Sequence, residues 1–474
     1  MTPPERPARH EAETGLPFDP SAGQAHELLA RAEALLTTQL DGLASRAVHE
    51  HGDPAALVAA LLEDRPGAAV TADEALHTLA EVVQHGVEST SGGELAYIPG
   101  SGLFSSAVAD LLASTLNRYT GLPGMAPAAV ALEEGVLRWL CELFELPETS
   151  QGVLLSGGSM ANLSALLAAR EQITRLDRAT VYVGEHAHAS VRKAARIVGL
   201  RPEQVRVCPS ADGLRVDAEA MRVAIKDDVS DGFEPMAIVA AAGTTNAGAI
   251  DPLDALADLA ADTSTWLHVD AAYGGFFQLT ERGRARLAGI ERADSITLDP
   301  HKSLFLPFGT GALLVRDRRA LERAFAEEAD YLRDLDGAEG LPDFSQLTPE
   351  LTRAWRGLRL WLPLKLHGLD AFRAALDEKL DLAEDAQRRL AADPRVSTWG
   401  EPDLTVVPFR ADGDDDVQDR LLAAVHADGS VRLSSTRIDG QVAVRLAILS
   451  HRTSRATVEG ALDLVDEALG TIGV

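Results

Sequence analysis

The chain has 474 residues, 46% of them hydrophobic and 24% charged, an ordinary globular composition. That length is too great for one compact core, so two or three packed units are expected. Its 72 acidic against 44 basic residues give a formal net charge of −28, which repels phosphodiester backbones and anionic lipid and argues against nucleic-acid and membrane partners. Only Cys141 and Cys208 occur, too few for a disulfide framework, so a reducing cytoplasm is expected. No run reaches the ~18 apolar residues that a membrane span requires.

Residues 1–22 have no apolar stretch and no cleavage-like pattern, so they read as a loosely draped tail and not as a secretory signal. Three amphipathic helices are then predicted, from Ala25 to about Val48, Pro54 to Leu62 and Asp73 to His85. In the first, Leu28, Leu29, Ala32, Leu35, Leu36 and Leu40 recur at helical spacing. This segment, 23–92, has no core of its own and must pack on another surface of the chain or on a second subunit. From Gly93 the chain passes through the tight turn Tyr97-Ile98-Pro99-Gly100 into a helix. Pro127 to Leu146 is a periodic helix whose Leu132, Val136, Trp139, Leu140 and Leu143 make one apolar face, and it reads as core.

Short β-prone runs follow at Gly152–Leu155, Thr180–Val183, Val205–Val207, Ala237–Ala242, Trp266–Val269, Ser295–Leu298 and Ala312–Val315, most of them separated by helix-length segments. That alternation predicts an α/β domain over 93–366, with a mostly parallel seven-stranded sheet and helices on both faces. After Arg316 a charge-dense stretch to Gly340 reads as a helix followed by a mobile loop that carries Tyr331. Arg353 to His367 is a basic-apolar helix that bridges to a small α+β unit over 367–474. Its β-prone runs are Leu404–Arg410, Val431–Thr436 and Val442–Leu449, and its last helix starts near Thr457.

The ends of these strands carry the chemistry, because α/β proteins place their sites there. The first strand runs into Ser156-Gly157-Gly158-Ser159 at a helix start, which is either a plain capped helix or a phosphate cradle. The second runs into Glu185-His186-Ala187-His188, where either histidine could be a simple cap; H-x-H suggests a metal, but no third ligand follows at metal-like spacing, so none is expected. The fourth ends at Gly243-Thr244-Thr245. The fifth stops on Asp270 and the sixth on Asp299-Pro300-His301-Lys302. Lysines are rare here (Lys193, Lys226, Lys302, Lys365 and Lys379), so one set between a histidine and Leu304-Phe305-Leu306 is not a routine surface solubiliser. An amine held there can lose its proton and attack a carbonyl.

HVDAAYGG (268–275) and DPHKSLF (299–305) resemble the group II pyridoxal-phosphate decarboxylases, which include aromatic amino acid, glutamate and diaminobutyrate decarboxylases. The resemblance runs from about Glu94 to the C-terminus and implies a fold-type I PLP-dependent transferase fold with an N-terminal helical segment and a small C-terminal α+β domain. It implies pyridoxal 5'-phosphate as cofactor, with Lys302 as its covalent anchor. Asp270 would hold the ring nitrogen protonated so that the ring is an electron sink. His188 would lie flat over the ring, His301 beside Lys302, and Thr245 and Ala272 against the cofactor. Gly158 and Ser159 fall on phosphate binders, and Gly309 and Thr310, in the backbone-rich turn Phe308–Gly311, could close over the neighbouring cofactor of a homodimer. Tyr331 matches a proton-donating loop tyrosine, against the alternative of a solvent-exposed one. Tyr97, Ile98 and Pro99 match a pocket-lining segment, and Arg445 matches an arginine that receives the substrate carboxylate in some members, against an ordinary ion pair. The implied reaction is decarboxylation of an L-amino acid to an amine. The rivals are oxidative deamination to an aldehyde or transamination on the same fold, and a PLP-binding protein without turnover. Two features depart from the pattern. Asp299 stands where many relatives have asparagine, and Ile98 and Gly100 suggest a pocket unlike that of strict aromatic decarboxylases.

Overall fold

A computed structural model describes residues 18–43, 46–49, 52–63, 65, 67–327, 338 and 340–474. It divides into two compact units, Met1–Glu88 and Ser89–Val474. In the first, helices span Ala22–Gly42, Ala55–Glu63 and Ala72–Gln84. Ser21 and Thr71 open the first and third with reciprocal capping boxes, which satisfy amides that a helix start leaves unpaired. An Arg31–Asp73 ion pair links those two helices. None of the three buries a single residue completely, and Leu28, Leu29, Leu36, Leu61, Leu62 and Val83 stay exposed. The first helix ends at Gly42, short of the predicted Val48.

The second unit is built on a seven-stranded sheet: β1 (Gln151–Leu155), β2 (Ala179–Gly184), β3 (Val205–Cys208), β4 (Glu234–Ala241), β5 (Trp266–Asp270), β6 (Ser295–Leu298) and β7 (Gly311–Val315). Their order is β1-β7-β6-β5-β4-β2-β3. The β6–β5–β4–β2–β3 run is parallel, and β7 is antiparallel to both of its neighbours. The reason for β7 is local. Between β6 and β7 the chain forms only the helical turn Pro300–Ser303, with no covering helix to carry it back for a parallel entry. β1, β2, β6 and β7 are buried along their whole length, as strands covered on both faces must be, which is why they read as unbroken apolar runs. Helices Gly158–Arg170, Ala189–Ile197, Ala218–Ser230 and Leu253–Thr263 supply the cover between successive strands. The winding direction reverses between β2 and β4, the kind of point at which open α/β sheets leave a crevice.

A second, antiparallel sheet has the order β10-β11-β9-β8, with β8 (Val396–Thr398), β9 (Val406–Ala411), β10 (Ser434–Ile438) and β11 (Gln441–Ala447). The tight β10–β11 hairpin turns on Asp439-Gly440, and helices Asp415–His426 and Arg455–Ile472 pack with the sheet around Phe409, Leu421, Val444 and Leu469. β8 has no counterpart among the predicted strands, since three residues are too few to show an alternation. Between the sheets runs the helical stretch Gly357–Ala391, broken at Gly368 (φ 72°, ψ 159°) close to the predicted boundary.

Candidate active site

β5 and β6 are hydrogen-bonded neighbours with Asp270 opposite Thr297, so the chain delivers Asp270 and, just past β6, Asp299 to Lys302 at the same edge of the sheet. The turns after β1, β2 and β4 close round them. The resulting cavity is about 300 Å³.

Asp270 is held from behind. Its Oδ2 accepts from Asn162 Nδ2 at 2.8 Å and its Oδ1 from the Ala272 amide at 3.2 Å. Asn162 belongs to the helix Gly158–Arg170 and is 1% exposed. Its Oδ1 lies 2.9 Å from His268 Nε2, while His268 Nδ1 lies 2.8 Å from Ser295 Oγ, which also accepts from the Trp266 indole at 2.8 Å. Burial pushes the His268 imidazole down to about 4, so the ring is neutral at physiological pH. The period-two alternation of β5 accounts for the grouping: Trp266, His268 and Asp270 share one face of the strand.

The opposite wall is less complete. Lys302 Nζ pairs with Asp299 Oδ2 at 3.1 Å, and His301 Nε2 stands 3.6 Å from the same oxygen. His301 Nδ1 donates to the Thr310 carbonyl at 2.7 Å, which fixes the ring. Asp299 is 3% exposed, and its Oδ1 is buried without a hydrogen-bond partner. This is a site where a buried polar atom awaits something.

The helix Gly158–Arg170 begins without any side-chain cap; the Met160 and Ala161 amides donate to the Gly157 carbonyl at 3.0 and 3.1 Å, which leaves the Gly158 and Ser159 amides to face the cavity. Gly157 has φ 154°, and a Cβ on Gly158 would come within 2.8 Å of Asp299 Oδ2 and 3.2 Å of the Ala272 methyl. Glycine therefore keeps open the space in front of the helix start. His188 caps the helix Ala189–Ile197: its Nδ1 accepts from the Ser190 amide at 3.3 Å and sits 2.7 Å from the Ser190 hydroxyl. His186 is used up by protein groups, with Nε2 donating to the Gly213 carbonyl at 2.9 Å and Nδ1 meeting the Asn246 amide at 3.0 Å.

Of the residues singled out from the sequence, Gly158, Ser159, His188, Thr245, Asp270, Ala272, His301 and Lys302 line this one cavity. Tyr97, Ile98, Pro99, Gly309, Thr310 and Arg445 do not. Thr310 and the Phe308 carbonyl are instead held by Arg359, at 2.5 and 3.1 Å. Arg445 is buried and donates to the carbonyls of Thr245 and Asn246 and, at 3.0 Å, to Ser434 Oγ. Tyr331 lies outside the described residues. The sequence reading gave no role to Asn162 or Ser190. The signal was available for Asn162, which follows Gly158 by four residues and therefore stands on the same helix face.

An uncapped helix start suits a phosphate, a carboxylate fed by N–H donors suits a protonated ring nitrogen, and a nearby amine suits an aldehyde. Those are the three attachment points of pyridoxal 5'-phosphate, and the donor set defines a pyridoxal-phosphate enzyme of fold type I. Comparison with known proteins narrows the class. The chain belongs to the pyridoxal-dependent decarboxylases: residues 54–412 match the pyridoxal-dependent decarboxylase conserved domain. It is 34% identical over 448 residues to an aromatic-L-amino-acid decarboxylase of Bacillus atrophaeus, covering 92% of this chain and 93% of that one. It is 36% identical over 369 residues to an L-2,4-diaminobutyrate decarboxylase of Rhizobium meliloti (strain 1021), covering 76% and 74%. The crystal structure of Oryza sativa TDC with PLP and tryptamine superposes with a TM-score of 0.91 at 26% identity, over 97% of this chain and 100% of that one. The protein is thus a pyridoxal-phosphate-dependent carboxy-lyase of amino acids.

Proposed function

We propose that the protein converts an L-amino acid to the corresponding amine and CO2, with Lys302 as the covalent anchor of the cofactor and Asp270 as the partner of its ring nitrogen. The observation that carries this reading is the delivery of that carboxylate and that amine, from adjacent strand ends, into one cavity. When bound, pyridoxal phosphate supplies a cationic ring that accepts the electrons of the breaking Cα–carboxylate bond. Asp270, aimed by Asn162 and the Ala272 amide, holds the proton at the ring nitrogen. The first-turn amides at Gly158 and Ser159 bind the phosphate. His188 faces the ring. Because the Ser190 amide donates to its Nδ1, the His188 proton sits on Nε2 when the ring is neutral.

In this reading Arg445 receives the substrate carboxylate. Among the described residues no acidic side chain pairs with it, and burial lowers its guanidinium to about 10. Tyr97, Ile98 and Pro99 border the substrate, and Tyr331 returns the proton to Cα. The active form is a homodimer. Supporting this are the three helices without buried residues and an apolar strip left open on the large unit, with Phe104, Leu111, Leu112, Leu116 and Phe308 exposed. Gly309 and Thr310 then act in the neighbouring site. Two buried free thiols, Cys141 and Cys208, fit a cytoplasmic setting, and no helix among the described residues is long and apolar enough to cross a membrane.

The test is CO2 release from the purified holoenzyme over the common L-amino acids plus ornithine and diaminobutyrate, with amine and peroxide measured alongside. CO2 and amine in equal amounts from at least one substrate support the reading. Aldehyde with peroxide, or amino-group transfer without CO2, would move the protein to the rival activities.

A further inference from the structure

Asn162 spends both its amide hydrogens and its carbonyl on three different groups, and two of those groups lead into the reaction site. One N–H goes to Asp270 Oδ2 at 2.8 Å and the other to Ser190 Oγ at 2.9 Å. The carbonyl oxygen must then accept, so the facing His268 Nε2, at 2.9 Å, carries the hydrogen. A neutral His268 has no second hydrogen, and its Nδ1 therefore accepts from the Ser295 hydroxyl at 2.8 Å. Ser295 Oγ in turn accepts from the Trp266 indole, which can only donate. The direction of every bond is settled: Trp266 to Ser295, to His268, to Asn162, to Asp270. On the other branch Ser190 takes the Asn162 hydrogen and turns its own hydroxyl onto His188 Nδ1 at 2.7 Å. Asn162, Ser295 and His268 are each no more than 1% exposed, so water does not compete for these bonds.

We propose that Asn162 is a positioning residue of the site, aiming the Asp270 carboxylate and, through Ser190, the His188 ring, while Trp266, Ser295 and His268 lock the amide in its working orientation. This deepens the reading above and rests on Asp270 as the partner of the cofactor's ring nitrogen. An N–H donated to a carboxylate stabilises its charged form. Without that donor Asp270 becomes more basic and takes a larger share of the ring-nitrogen proton. The ring then withdraws fewer electrons from the carbon attached to Lys302.

The readout is the absorption band of the bound cofactor, titrated with pH in the resting holoenzyme without substrate. Asn162→Asp, close in shape but with no hydrogen to give when ionised, and Asn162→Ala are expected to move the midpoint upward by about half a unit or more. Asn162→Thr keeps a hydroxyl able to accept from His268 and donate to Asp270, and its midpoint is expected to stay at the wild-type value. A part that merely fills space would give no such rescue. Midpoints of Asn162→Asp and Asn162→Ala equal to wild type overturn the inference. Should the Asn162 variants fail to fold by circular dichroism, Ser295→Ala, which removes the hydroxyl holding His268, decides in their place: an upward shift supports the relay and an unmoved midpoint overturns it. A wild type that forms no cofactor band at all fails the functional reading itself, a result distinct from any of these.

Discussion

Behind Asp270, on the β5 side of the cavity, hydrogen bonds run unbroken from the Trp266 indole to the carboxylate, whereas on the β6 side Asp299 keeps one buried oxygen with no partner and shares the other between Lys302 and His301. A closed network in a low-dielectric setting holds its members in one arrangement, and an open one marks the place where partners change. The contrast matches the work asked of each side. In the proposed roles, Asp270 would stay fixed as the partner of the ring nitrogen, while Lys302 would have to give up its pairing with Asp299 to hold the cofactor.

The largest expected effect lies at Asp270. Asp270→Asn leaves the shape and removes the charge, so turnover is expected to fall by roughly three orders of magnitude, the kinetic equivalent of about 3–5 kcal/mol, with the fold intact by circular dichroism. Wild-type kcat would make Asp270 a structural cap. On the other wall the effect is smaller and of opposite sense. Asp299→Asn removes a buried negative charge beside Gly158, in front of the uncapped helix start proposed as the phosphate site, and still leaves an oxygen for Lys302. Cofactor affinity, read by fluorescence quenching, is expected to rise several-fold; weaker binding would mean that the Asp299–Lys302 pair is required to present the amine.

The last effect is on stability in acid and not on activity. His268 is neutral in the fold, with its pKa brought from 6.5 to about 4 by burial, so between those values the unfolded chain binds the extra proton and the fold does not. The stability tied to a neutral His268 is therefore complete above pH 6.5 and is lost as pH falls toward 4, by up to about 3 kcal/mol. The buried Glu94 and Asp251 carboxyls, raised to about 7 and about 6, work in the other direction, so the comparison is made by difference. His268→Gln does not titrate, and the melting-temperature gap between wild type and variant is expected to narrow from pH 7.5 to pH 4.5. A gap that stays constant would show that burial does not lower the His268 pKa, and a gap that widens toward low pH that the ring carries a proton in the fold.

The strands of the large sheet were readable to within about three residues because parallel strands buried on both faces are unbroken apolar runs set off by turns. Likewise Asp270 and Lys302 were readable as groups placed at the ends of such runs. What escaped was whatever depends on pairing across distance. Asn162 and Ser190 are small polar residues in helices; helical spacing puts Asn162 on the Gly158 face, but nothing local shows that the two together link Asp270 to His188. Likewise Trp266, His268 and Asp270 alternate along a strand in a way that only the neighbouring Ser295 makes meaningful. Asp299 departs in the sequence from the asparagine of many relatives, and its orphaned oxygen gives that departure a physical form.

Lys302 is the amine proposed to bind the cofactor. Borohydride reduction of the yellow holoenzyme, followed by peptide mapping, tests it directly, because the reduced adduct marks the lysine that held the cofactor. A single pyridoxyl-modified peptide containing Lys302 is expected, with loss of both the adduct and the colour in Lys302→Ala. Modification at Lys193, Lys226, Lys365 or Lys379, or an adduct that survives in Lys302→Ala, would contradict it.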